Sequence, residues 1–155
     1  MAHIHEKIDW TVEVFIVNEG AVLLRMHDKY KFWLSVGGHI ELDEEPTQAA
    51  LREVKEEVGL TVKLIGEPMQ ATEGEGYREI LPPRFMNIHN INETHQHISL
   101  VYFATTTSRE IVESVEREKS SGVRWFTRDD LNDPRFGLRQ TIKHYALAAL
   151  EAAAA

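Results

Sequence analysis

The chain has 155 residues, 43% of them hydrophobic and 27% charged, a mix that suits one folded domain and argues against disorder. Seventeen basic and 25 acidic residues leave a formal net charge of −8, which disfavours broad affinity for nucleic acid or an anionic membrane. Cysteine is absent, which excludes disulfides, zinc–thiolate centres and cysteine nucleophiles.

Residues 10–17, Trp-Thr-Val-Glu-Val-Phe-Ile-Val, are β-branched and aromatic and predict a strand. Asn18-Glu19-Gly20 is a turn signal, and residues 21–26 form the returning strand. Residues 32–36 are a short apolar segment ending at Gly37-Gly38, followed by a polar loop to Pro46. Residues 47–58 predict a helix. Pro46 suits its first turn, Asp43, Glu44 and Glu45 favour its positive end, and Gly59 stops it. A further strand is expected at 61–65. Residues 70–96, with two Gly, two Pro and three Asn, read as mostly loop, with room for a short strand near 84–88. Residues 98–105 predict a buried strand, 109–121 a charged loop or frayed helix, and 123–126 a last strand. Thr127-Arg128-Asp129-Asp130 resembles a capping box. A final helix is expected over 137–153, with Leu138, Ile142, Tyr145, Ala146, Ala149 and Leu150 on one stripe. Strands interrupted by one internal and one terminal helix predict a layered α/β domain covering 1–155. No apolar run approaches the ~20 residues of a membrane span, and residues 1–6 carry no apolar signal core, so a cytoplasmic protein is expected.

The acidity is concentrated. Residues 38–60 hold seven acids (Glu41, Asp43, Glu44, Glu45, Glu53, Glu56, Glu57) and two bases (Arg52, Lys55), so five of the eight excess negative charges lie there. At about 100° per residue, Ala50, Leu51, Val54 and Val58 share a face that can meet a core. Glu53, Glu56 and Glu57 fall on a neighbouring strip. Like charges at that spacing weaken a helix by roughly 0.2–0.5 kcal/mol per pair. Two readings follow from spacing alone. One is a solvated acidic face. The other is a site for a hard divalent cation, which prefers oxygen ligands and bridges to phosphate.

The segment Gly-His-Ile-Glu-Leu-Asp-Glu-Glu-Pro-Thr-Gln-Ala-Ala-Leu-Arg-Glu-Val-Lys-Glu-Glu-Val-Gly-Leu at 38–60 resembles the Nudix box. Gly38, Glu44, Arg52, Glu53, Val54, Glu56, Glu57, Gly59 and Leu60 occupy all of its specified positions. The resemblance implies the Nudix fold, a mixed β-sheet sandwiched between α-helices. It implies hydrolysis of a P–O–P linkage in a nucleoside triphosphate or nucleoside diphosphate derivative, with Mg²⁺ or Mn²⁺. By the same resemblance Glu53, Glu56 and Glu57 are metal ligands, joined by the Gly37 or Gly38 carbonyl. Glu44 and Arg52 are their supporting pair, and an Arg can hold a carboxylate in a bidentate fork. The family has no single general base: Glu56 and Glu57 are candidates on the helix, Glu116 and Glu118 in a later loop.

The box does not select the leaving group. Tyr77 lies 17 residues after Leu60, a spacing that resembles the dinucleoside polyphosphate branch. Glu75 and Gly76 stand where the ADP-ribose branch tends to have proline, and Leu34-Ser35-Val36 precedes the glycine pair where many members have proline. Trp33, Phe32 and Tyr77 are candidates to stack a base, with core packing the competing role for Phe32 and Trp33. A strand would put His95 and His97 on one side, where two readings compete: contact with the leaving group, or a transition-metal site of the kind imidazole favours.

The expected partner is a small nucleotide, with no nucleic acid or membrane, for a monomer or homodimer. The alternative is a catalytically silent Nudix-fold nucleotide-binding module, though such modules often lose box glutamates. Isoprenoid diphosphate isomerisation is disfavoured because its usual cysteine cannot be present.

Overall fold

A computed structural model describes residues 3–70, 74–113 and 122–155. Its described elements are β1 (Ile8–Asn18), β2 (Ala21–Met26), β3 (Trp33–Leu34), β4 (Val36–His39), α1 (Pro46–Val58), β5 (Lys63–Leu64), β6 (Phe85–Asn90), β7 (Gln96–Thr105), β8 (Gly122–Thr127), α2 (Arg128–Asn132) and α3 (Gln140–Ala154). A 3₁₀ turn at Pro134–Phe136 joins the last two helices.

The eight strands form one mixed sheet. β1 runs parallel to β7 from Ile8↔Gln96 to Val17↔Thr105. The other described pairings are antiparallel, including β1 with β4, β2 with β8, and β6 with β7. β1 and β2 meet through a two-residue turn in which Glu19 and Gly20 both have positive φ, as a type I′ hairpin requires.

Alternation along β1 creates the layers. Val12, Val14 and Ile16 pack with Ala49, Ala50, Val54 and Val58 of α1. Phe15 and Val17 point the other way and pack with Ile142, Ala146, Ala149 and Leu150 of α3. The result is the expected sandwich of helix, mixed sheet and helix. None of the described helices is long and apolar enough to cross a membrane.

Local signals set the helix ends. Glu45 caps α1, accepting hydrogen bonds from the backbone of Thr47 and Gln48, while the Gln48 side chain accepts from the Glu45 backbone. Gly59 closes α1 in the left-handed region at φ 71°, where a Cβ would also press on Val112. Thr127 and Asp130 form the expected capping box at α2. Several expectations need correction: Leu51, expected to face the core, is exposed, and the strand expected over 61–65 is only Lys63–Leu64. The final helix begins at Gln140, because Pro134 starts a separate 3₁₀ turn that Gly137 closes with positive φ; Leu138 packs on the core from ahead of the helix. Within 70–96, β6 is a full six-residue strand, reaching Asn90 rather than stopping near 88. It pairs only with β7 among the described strands and is mostly exposed, so it carries no buried-strand signature.

Candidate functional site

The pairing of β1 with β4 sets the Gly37-Gly38 backbone against α1. Gly37 donates its N–H to Glu57 Oε1 at 2.9 Å. Gly38 faces Glu53, whose carboxyl group fills the space a Cβ would need. Glycine at 38 is therefore a steric requirement of the site. Gly38→Ala is expected to displace the Glu53 carboxylate and weaken Mn²⁺ binding roughly tenfold or more, read by EPR titration of free Mn²⁺.

Arg52 organises the carboxylates. Its Nε and Nη2 donate to the two oxygens of Glu44 at 3.0 and 2.5 Å. Its Nη1 donates to Glu53 at 2.9 Å and Glu56 at 3.1 Å, and Nη2 also donates to the His39 carbonyl at 3.0 Å. The Arg52 hydrogen bond holds the Glu44 carboxyl below its usual range. The same bond to Glu44, with help from Glu53, holds the Arg52 guanidinium firmly charged against the cost of its partial burial.

Sequence reading missed the second guanidinium. Arg25 of β2, 32 residues before Glu57, donates from Nη1 to Glu57 Oε2 in a very close contact. Its signal was a lone cation in the apolar strand Ala-Val-Leu-Leu-Arg-Met. Glu53 and Glu57 side chains are 2% and 10% exposed, and Glu56 is 38% exposed. Three carboxylates thus converge on one side of α1, two of them buried, against positively charged neighbours. This all-oxygen, anionic donor set beside two glycines fits a hard divalent cation, and Glu53, Glu56 and Glu57 are the residues that would hold it.

The other site candidates lie elsewhere. Trp33 is half-buried and meets Phe126 edge-on at 4.9 Å. Tyr77 is exposed on a small turn and donates its hydroxyl to Glu79 at 2.6 Å. Glu116 and Glu118 lie outside the described residues.

His95 and His97 meet on the far side of the sheet from α1. Asp9 pairs in register with His97, and the His39 side chain joins them from β4. Asp9 is fully buried. Burial pushes its carboxyl up, but hydrogen bonds from the His5 and Ile4 backbone, with His3 and His39 nearby, bring it below its usual range. Burial, with His39, His89 and His95 around it, lowers His97 to about 4. Folded protein therefore resists a proton that the unfolded chain accepts near pH 6.5. The stability tied to His97 is complete above that pH and is lost as pH falls towards about 4. In chelator-treated protein, Tm is expected to decline between pH 6.5 and 5, and His97→Gln to flatten that decline in pH-dependent melts. A further acid, the half-buried Glu13, shares this sheet face. Burial raises its carboxyl, against hydrogen bonds from Asn87 at 3.3 Å and Ser35 at 3.5 Å.

Comparison with known proteins adds an independent line. The NUDIX domain profile matches residues 7–146. A solved Clostridium perfringens structure described as a hydrolase of the NUDIX family superposes with a TM-score of 0.78 and 34% identity, covering 92% of this chain and 96% of that one. The human diphosphoinositol polyphosphate phosphohydrolase 3-beta is 32% identical over 115 residues, 72% of this chain and 58% of that protein. A Myxococcus xanthus octanoyltransferase is 36% identical over 91 residues, 47% of this chain and 26% of that protein. The chain thus spans little more than half of one curated relative and about a quarter of the other.

Proposed function

The chain belongs to the Nudix hydrolase family, and on that premise we propose that it hydrolyses a P–O–P linkage in a nucleoside triphosphate or nucleoside diphosphate derivative. The observation that carries this reading is the intact cluster of Glu53, Glu56 and Glu57, held by Arg52, Arg25 and the Gly37 N–H. A silent binding module would have no need for three carboxylates crowded at this cost to the helix.

Bound Mg²⁺ or Mn²⁺ would supply Lewis acidity, lowering the pKa of water and offsetting charge on the phosphoryl oxygens. The chain supplies position and proton transfer. Arg52 fixes Glu53 and Glu56 relative to the Glu44 loop, and Gly37 and Arg25 fix Glu57. Glu56, the most exposed of the three, takes the proton of the attacking water on a carboxylate oxygen. The water oxygen bonds to phosphorus, the bridging P–O bond breaks, and the leaving phosphate departs with its electron pair. Glu116 and Glu118 are the alternative bases. Tyr77, exposed on its turn, is the remaining candidate for leaving-group contact, because Trp33 packs against Phe126 and His95 and His97 lie across the sheet from the glutamates.

The test is a substrate panel with Mg²⁺ or Mn²⁺ and product identification: nucleoside triphosphates, ADP-ribose, dinucleoside polyphosphates and sugar nucleotides. A diphosphoinositol polyphosphate is added because of the human relative's name. Metal-dependent P–O–P cleavage of a nucleotide supports the reading. Tight nucleotide binding without product would replace it with the binding module.

A further inference from the structure

Five of the eight histidines gather at one place. His3, Asp9, His95 and His97 each present a ligand atom, and these four atoms lie within 4.8 Å of one another. The fold builds this cluster deliberately from distant segments. The parallel β1–β7 register sets Asp9 beside His97, and the β6–β7 register sets His89 on the other side of His97. His39 stands opposite Thr11, on the same face as Asp9. That face is opposite to the one carrying Val12, Val14 and α1.

The tautomer of His95 is informative. Its Nδ1 lies 2.9 Å from the Glu6 carbonyl oxygen, which can only accept, so Nδ1 carries a proton and donates it. A neutral His95 then presents a bare lone pair at Nε2. That Nε2 is buried, 3.4 Å from Asp9 Oδ2, and makes no hydrogen bond among the described residues; the buried His97 Nε2 makes none either. A lone pair facing a buried carboxylate is repulsive unless a cation lies between them. One divalent ion satisfies every atom at once. A metal-bound histidine commonly donates its other N–H to a carbonyl, as His95 does to Glu6.

We propose that His3, Asp9, His95 and His97 form a zinc site separate from the box glutamates. Three imidazole nitrogens and one carboxylate oxygen make a closed tetrahedral set for a borderline ion, whereas the glutamate site offers oxygens alone to a hard ion. Zinc–ligand bonds of ~2.0–2.1 Å set tetrahedral ligand atoms roughly 3.3–3.4 Å apart, so the widest separation in the cluster, up to 4.8 Å, closes by as much as about 1.4 Å on binding. His39 Nε2 lies 3.2 Å from Asp9 Oδ2, beside the cluster but outside its four ligand atoms. The ion fastens the segment before β1 to the start of β7. The proposal stands whether or not the hydrolase reading holds.

The test uses untagged protein purified without a metal-affinity column. Elemental analysis should find about one zinc per chain, and metal-stripped protein titrated with Co²⁺ should develop the intense visible bands of a tetrahedral centre. Zinc should remain in Glu57→Gln and fall below about a tenth in Asp9→Asn and His97→Ala. If those two variants fail to fold by circular dichroism, the wild-type cobalt spectrum decides alone. Absence of both zinc and tetrahedral cobalt overturns the proposal, as does an ion lost with Glu57→Gln and kept in Asp9→Asn.

Discussion

Glu57→Gln is expected to lower turnover by about 10³-fold or more while the fold persists. The amide matches the carboxylate in shape, and its oxygen can still accept the Gly37 N–H. What disappears is the charge that faces Arg25 and that would hold a divalent cation. The loss should therefore appear together with weaker Mn²⁺ binding. Glu56→Gln should differ in kind. Glu56 is more exposed and receives a hydrogen bond from Arg52, so its variant should lose kcat by about 10²–10⁴-fold with a smaller change in Mn²⁺ affinity. Steady-state kinetics and EPR titration of both variants separate a residue that mainly holds the ion from one that also takes the proton. Turnover within a few-fold of wild type in both would overturn these roles.

The second large effect belongs to Arg52. Replacing it by Met removes donors to Glu44, Glu53, Glu56 and the His39 carbonyl together. Glu53 is then a buried carboxylate without its guanidinium neighbour, beside two more acids. Removing one partner from such a network costs about 2–3 kcal/mol at this partial exposure, a fall in Tm of roughly 5–10 °C. Arg52→Lys should recover part of the stability but little turnover, because a lysine ammonium cannot fork across Glu44 while also reaching Glu53. Thermal melts and kcat for both variants check this. Equal activity in the lysine variant would mean that charge alone, without geometry, suffices.

The segment from 38 to 60 was legible because its signals are local. Pro46 opens the helix and Gly59 ends it, and Glu44 and Arg52 meet within one loop and two turns of helix. The layered α/β class also followed from strands interrupted by two helices and from the apolar stripe on α3, while the sandwich itself came with the family resemblance. Arg25 and Asp9 were not legible as site residues. Arg25 is the one charge of its strand, and its partner Glu57 lies 32 residues away, while Asp9 meets His39, His95 and His97 only through sheet register. The His95–His97 spacing hinted at a cluster, but nothing local announced that a buried Asp9 would lie beside it. β6 escaped full recognition because an exposed strand of Asn, His and Met has no buried face to betray it.

The parallel pairing of β1 with β7 also bears on how the chain is made. Thr11 and its partner Ser99 are separated by 88 residues. During synthesis at roughly 5–20 residues per second, β1 emerges from the ribosome about 4–18 seconds before the strand that will cover its edge. The β1–β2 hairpin and β4 can form in that interval, but one flank of β1, rich in Val, Ile and Phe, stays unpaired. Nascent chains halted before Thr105 should therefore bind holdase chaperones and resist release. Chains extended past Thr105 should lose part of that binding as β7 docks on β1, and the rest only after β8 joins β2 and α3 covers the second face.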